Sequence, residues 1–222
     1  MLSRVYENII NIAGSLSQAD PGTPDVLGIP TYETKSQNTN NIVILQDTTW
    51  TGTVDIKGKT VQVAEGVKLT ISKGTKVIGA ATNSQNGGQI DVWGSLIVDG
   101  QSDSLVHFED VNINFGHSGF RHAAVIDIDF AYIKGGSFLS NWKNAGTLAL
   151  KDSTLESLMG NFVIANPASD AVIARNIFKN SGGFEVTTSV SPTKTGELTG
   201  GTVSFQNNFF YDDRCCVGRC CI

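Results

Sequence analysis

From Asn41 onward the chain is written in short pieces in which apolar and polar side chains alternate, each closed by Gly, Asn or Asp. The pieces run NIVIL, GTVDI, KTVQV, VKLTI, TKVIG, GQIDV, GSLIV, LVHFED, VNINF, AVIDIDF, GTLALKD, NFVIA, AVIARN, GFEV and TVSFQNNFF. A period of two is the mark of a half-buried strand. Strands this short, this numerous and this irregularly spaced fit stacked coils better than hairpins. The later coils align with one another: Ile126 and Ile128, Leu148 and Leu150, Val172 and Ala174, and Val203 and Phe205 form inward pairs at intervals of 22, 24 and 31 residues. Asp152, Asn176 and Asn207 then fall at one shared turn position. At a strand spacing of ~4.8 Å, about seven or eight such coils make a rod on the order of 35 Å long.

Composition agrees with turn-rich β structure. Of 222 residues 40% are hydrophobic, enough for a real core, only 17% are charged, and Gly is 24. A net charge of -5 gives no basic footprint for nucleic acid. No apolar run reaches the 18 or more residues of a membrane-spanning helix.

The two ends differ from the body. Leu2, Val5, Ile9, Ile12 and Leu16 are spaced 3, 4, 3 and 4, one stripe of an amphipathic helix over residues 1–19. Such a helix needs a partner surface, so it reads either as a docking or self-association segment or as a cap on the solenoid. Glu7, Asn8 and Asn11 interrupt the apolar run an export leader requires, so synthesis in a cytoplasm is expected. Residues 20–40 hold three of the five prolines and little periodicity, an extended arm. The body spans 41–213. In the tail, 214–222, Cys215, Cys216, Cys220 and Cys221 are all the cysteines of the chain. They cannot staple the body; disulfides within the tail or between subunits, a soft metal, or no role are the alternatives.

The phrases VKLTISKGTKVIG, GQIDVWGSLIVDGQSDSLVHFED and VIARNIFKNSGGFEV resemble the right-handed parallel β-helix, or pectin-lyase-like, superfamily. The resemblance covers about three quarters of the chain and implies an all-β, right-handed parallel β-helical solenoid. It implies less about function, because that fold serves polysaccharide lyases and hydrolases, phage tailspikes, adhesins and structural proteins.

Catalytic candidates are few. Asp127 and Asp129 alternate with Ile126, Ile128 and Phe130, which puts both carboxylates on one outer face, roughly 7 Å apart. That separation suits an inverting glycosidase pair or a Ca²⁺ ion, against the plainer reading of a solvated strand. The coil alignment expects Glu109, Asp129, Lys151, Arg175 and Gln206 in one outward column, with His107 beside Asp127. Such a column is a salt-bridge ladder or, alternatively, a saccharide groove with Arg175 or Lys151 as base. His117 and His122, five apart near a turn, fit no single face and do not complete a metal shell. Trp50, Trp93, Trp142 and Tyr132 are expected in core or turn packing, with sugar stacking as the alternative. The superfamily's galacturonan hydrolases carry Gly-His-Gly and paired-aspartate elements. This chain has only Gly116-His117-Ser118-Gly119 and Asp212-Asp213.

Together these features are most similar to phage tailspikes. The expectation is a virion structural protein, a tail spike, fibre or capsid decoration. It would be a homotrimer, docked to other virion proteins through its N-terminal segment, in contact with host glycan and without a cofactor unless Ca²⁺ binds. The alternatives are a lyase or hydrolase of an acidic glycan using Asp127, Asp129 and Arg175, or a secreted or cell-surface adhesin.

Overall fold

Alternation along the chain becomes alternation in space. The computed structural model describes residues 40–79, 88–115, 124–140, 147–160, 162–165, 170–182, 184–187 and 202–211. The expected N-terminal helix, most of the arm, His117, His122, Trp142 and the cysteine tail lie outside these residues. Among the described residues twenty-one strands, numbered in chain order, form three seven-stranded sheets. Sheet 1 holds β1 (Asn41–Ile44), β4 (Thr60–Val63), β7 (Gly88–Val92), β10 (Val111–Phe115), β13 (Ser137–Ser140), β16 (Phe162–Ala165) and β19 (Phe184–Thr187). Sheet 2 holds β2 (Thr48–Trp50), β5 (Lys68–Ser72), β8 (Ser95–Asp99), β11 (Val125–Asp129), β14 (Thr147–Lys151), β17 (Ala171–Ala174) and β20 (Val203–Gln206). Sheet 3 holds β3 (Thr53–Asp55), β6 (Lys76–Ile78), β9 (Val106–Glu109), β12 (Ala131–Lys134), β15 (Thr154–Glu156), β18 (Ile177–Lys179) and β21 (Phe209–Tyr211). Each strand pairs in parallel with the strand three places on, so three strands make one coil and seven coils make a parallel β-solenoid.

Because the side-chain period is two, one parity faces the lumen in every coil. Sheet 2 sends Trp50, Ile71, Val98, Ile128, Leu150, Ile173 and Phe205 inward in register. Sheet 3 sends Val54, Val77, Phe108, Ile133, Leu155, Phe178 and Phe210. Phe138 and Phe162 stack at 4.4 Å, with Phe115 edge-on at 5.5 Å, and the rings of Phe178 and Phe210 stack at 4.9 Å. Like therefore sits on like along the axis, which is why the chain repeats its apolar choices coil after coil.

The expected alignment slips by one residue at β17. Leu150 pairs with Ile173 and Lys151 with Ala174, so Ala171 and Ile173 are the inward pair, not Val172 and Ala174. The piece Ala171-Val172-Ile173-Ala174 is apolar at both parities, so alternation carries no register there.

Turns are columns too. Phe130, Asp152, Arg175 and Asn207 come directly after sheet 2 strands with φ of 52°, 50°, 57° and 54°, and each backbone N–H of Phe130, Asp152 and Arg175 donates to the strand end one coil on. One residue further, Ser153, Asn176 and Asn208 form a ladder. Asn176 Oδ1 accepts from Ser153 N (3.0 Å), and Asn208 Oδ1 accepts from Asn176 N (2.9 Å) and Nδ2 (3.0 Å). Asn176 Nδ2 also donates to Leu150 O, and Asn208 Nδ2 to Ile173 O. Asp152, Asn176 and Asn207 thus do not share one turn position; Asp152 and Asn207 stand in the left-handed column and Asn176 in the amide ladder.

Candidate functional site

Outward residues of neighbouring coils stand about 4.8 Å apart, so the chemistry of each face is set by the order of side chains along the axis. On sheet 2, Asp127 and Asp129 face outward from β11 as the alternation requires. Lys151, paired with Asp129 one coil on, places Nζ 3.5 Å from Asp127 Oδ1 and 3.4 Å from Asp129 Oδ1. Those two carboxylate oxygens are shielded from solvent and make no hydrogen bond of good geometry, so an ammonium in ion-pair contact is what balances them. The ammonium stands where a cation shared by the two carboxylates would have to sit. Among the described residues no group of three or more His, Cys, Asp or Glu side chains is arranged to hold a metal ion.

The column expected to contain Glu109, Asp129, Lys151, Arg175 and Gln206 divides. Asp99, Asp129, Lys151, Ala174 and Gln206 share it in the structure. Glu109 belongs to sheet 3, between Ile78 and Lys134, and His107 pairs with Lys76 and Tyr132 rather than lying beside Asp127. Arg175 sits in the left-handed turn, where its guanidinium grips Asp152 through Nε to Oδ1 (2.7 Å) and Nη2 to Oδ2 (2.5 Å). That clamp holds the Asp152 carboxyl below its ordinary range, and the Arg175 pKa is raised first by Asp152 and more weakly by the charge of Asp129. Arg175 is therefore near the aspartate pair in charge but committed elsewhere in hydrogen bonding.

The ordered ionic face is on sheet 3, where the coil alignment did not expect it. Glu109, Lys134, Glu156 and Lys179 succeed one another in register, acid alternating with base. Lys76 Nζ lies 3.0 Å from Glu109 Oε1, and Lys179 Nζ 3.6 Å from Glu156 Oε1. In the adjoining column Tyr132 donates its hydroxyl to Glu156 Oε2 at 2.6 Å, and its ring meets His107 edge-on at 5.6 Å. Donating that bond, with burial and the charges of Glu156 and Glu109 adding to it, pushes the phenol up to about 12, while the same bond lowers the Glu156 pKa. Tyr132 is thus an outward residue, not a core one, whereas Trp50 is buried as expected. The signal for this face is present in the repeated triplets HFE, YIK, TLE and IFK, in which an apolar centre is closed by a charge.

Compared with protein-family models, curated proteins and solved structures, the chain has no significant match. Its class rests on the fold of the described residues: a parallel β-solenoid of three strands per coil, with outward charges paired along the axis. Among the described residues no helix is long and apolar enough to cross a membrane.

Proposed function

We propose that this chain is a structural protein of a phage virion, a right-handed β-helical tail spike, fibre or capsid decoration of the pectin-lyase-like kind. It associates side by side as a homotrimer and docks to other virion proteins through Leu2, Val5, Ile9, Ile12 and Leu16. Its flank meets glycan on the host surface. The observation that supports a structural role is the state of the candidate catalytic groups: Asp127 and Asp129 are held by Lys151, and Arg175 by Asp152. A general acid and base need a free carboxyl pair with room for sugar and water between them. Among the described residues these candidate groups are paired with neighbouring charges, which stiffens a rod and leaves no assembled acid–base pair among them.

Mass spectrometry and immunogold labelling of purified particles test this reading, with the protein expected in stoichiometric copies that are lost when residues 1–20 are deleted. A stable monomer found in no particle refutes it. The enzyme alternative is tested by incubating the protein with uronic-acid polymers, with and without Ca²⁺. No new reducing ends or unsaturated products are expected, and their appearance would place catalysis ahead of structure.

A further inference from the structure

The two charged flanks are each left out of balance, and at the same height. On sheet 3 the ion pairs Lys76–Glu109 and Lys179–Glu156 pass over Lys134, which is exposed and reaches Glu156 only through its charge. On sheet 2, Asp127 and Asp129 share the single ammonium of Lys151, with Asp99 beside Asp129 one coil back, and their side chains stay 44% and 39% exposed. Lys134 ends β12 and the aspartates stand on β11, so the surplus base and the surplus acid both belong to the fourth coil. One coil on, the signs exchange: Glu156 is on β15 of sheet 3 and Lys151 on β14 of sheet 2.

We infer that sheet 3 of one copy packs on sheet 2 of the next in a closed parallel trimer, with Lys134 set against Asp127 and Asp129 of the next copy. The inference rests on the side-by-side trimer proposed above and adds which flanks meet. A three-fold axis along the rod leaves every residue at its own height, so each coil meets the same coil of its neighbour. Lys134 then stands level with the aspartate pair, Glu156 with Lys151 and, in the sixth coil, exposed Ile177 with Val172. In the third coil Glu109 comes level with Asp99, a like-charge pair that Lys76, 3.0 Å from Glu109 Oε1, offsets. The corner between the two sheets also allows the approach. From the fourth coil to the sixth it is closed by Phe130, by Asp152-Ser153 and by Arg175-Asn176, whereas sheet 1 leads into sheet 2 through the longer connections 116–124, 141–146 and 166–170. Sheet 1 is thereby the flank left outward for glycan.

The rival is a two-fold contact of sheet 3 with sheet 3, since reversing the column Glu109, Lys134, Glu156, Lys179 also sets each acid against a base. That contact leaves the surplus aspartate of sheet 2 unanswered and sends the first coils of the two copies to opposite ends. The parallel contact balances both flanks at once, which is what complementary charge across an interface requires.

The test is molar mass by light scattering over a dilution series in reductant, on the full chain and on its Lys134→Glu variant, with circular dichroism to follow the fold of each. The wild type is expected as a trimer. Lys134→Glu should raise the concentration at which half the chains are associated by on the order of tenfold or more, with the β spectrum retained. Should the spectrum change, Lys134→Ala takes its place and must weaken the trimer in the same sense. Carbodiimide coupling, which joins an amine to a touching carboxylate with loss of water, locates the contact in trimers co-refolded from unlabelled and isotope-labelled chains. Mixed-isotope peptide pairs of Lys134 with Asp127 or Asp129, and of Lys151 with Glu156, are expected. A trimer indifferent to both substitutions, or lacking those mixed pairs, overturns this contact and leaves the trimer reading standing. A monomer, or a dimer whose mixed pairs join Lys134 to Glu156 and Lys179 to Glu109, overturns both.

Discussion

Asn176 is the residue whose loss has the most clearly defined cost in this structure. Its side chain, 1% exposed, accepts from Ser153 N and donates to Leu150 O and to Asn208 Oδ1. Asn176→Ala deletes all three bonds in a place water does not reach. A net hydrogen bond is worth about 1 kcal/mol, and a buried donor left without an acceptor costs about 1–3 kcal/mol more; here that donor is Ser153 N–H. The sum is about 4–6 kcal/mol, a large fraction of the total stability of ~5–15 kcal/mol of an ordinary domain. Asn208→Ala removes the same chemistry one coil further on, but Asn208 is only half-buried, water can replace its partners, and about 1 kcal/mol is expected. Asn176→Asp keeps an acceptor for Ser153 N but aims a carboxylate at Leu150 O, and it should be no better than alanine at neutral pH.

Urea unfolding monitored by circular dichroism measures the three differences. Hydrogen exchange at Ser153 and neighbouring amides locates them, which matters because a solenoid can lose end coils before its middle. An Asn176→Ala variant within 1 kcal/mol of wild type, or an Asn208→Ala variant as damaged as Asn176→Ala, would refute the claim that the buried amide ladder holds this turn.

Absorbance titration should show one tyrosine ionising near 12, and Glu156→Gln should return it toward the ordinary value. Since the folded pKa is the higher one, whatever Tyr132 contributes is intact below about pH 10 and is lost only as pH rises toward 12. The Asp152 shift is downward, so the advantage of wild type over Arg175→Met is present above the ordinary carboxylate range. Parallel melts should show it shrinking as pH falls through the lower folded value. Gly136 has φ of 65° and a Cβ there would stand 2.0 Å from Val111 O, so Gly136→Ala is expected to prevent stable folding. Gly52→Ala, at φ of 71° with nothing within 4 Å, should cost only about 1 kcal/mol in the same urea melt.

The core was legible because a parallel solenoid repeats its inward choice: Ile126 and Ile128 over Leu148 and Leu150 is a match any period-two reading finds. Register failed where the pattern lost contrast, at Ala171-Val172-Ile173-Ala174, and that single slip carried Arg175 into a column it does not occupy. Turn positions were half legible. Asp152 and Asn207 are residue types that accept a left-handed backbone, whereas Phe130 and Arg175 at φ of 52° and 57° are held there by the stack and give no local sign. Glu109 was assigned to the wrong sheet because each coil has three strands of similar length, and composition does not say which of three a strand joins. Only the register down the axis separates the Glu109–Lys134–Glu156–Lys179 ladder from the Asp129–Lys151 pair.

Those two faces also show why a solenoid divides its labour as this one does. Each outward residue has its nearest partners one coil up and one coil down, so a flank becomes electrically quiet when acid and base alternate along the axis. Sheet 3 alternates through four coils. Sheet 2 does not: Asp99 stands directly beside Asp129, with Asp127 on the same strand, and Lys151 answers from one side only. At the last described coil Phe210 repeats the inward choice of sheet 3, its ring stacked on Phe178 one coil back. A repeat therefore stabilises the middle of the rod from both axial sides, while Phe209 and Ile177, in the last two described coils, carry apolar surface onto the outer face.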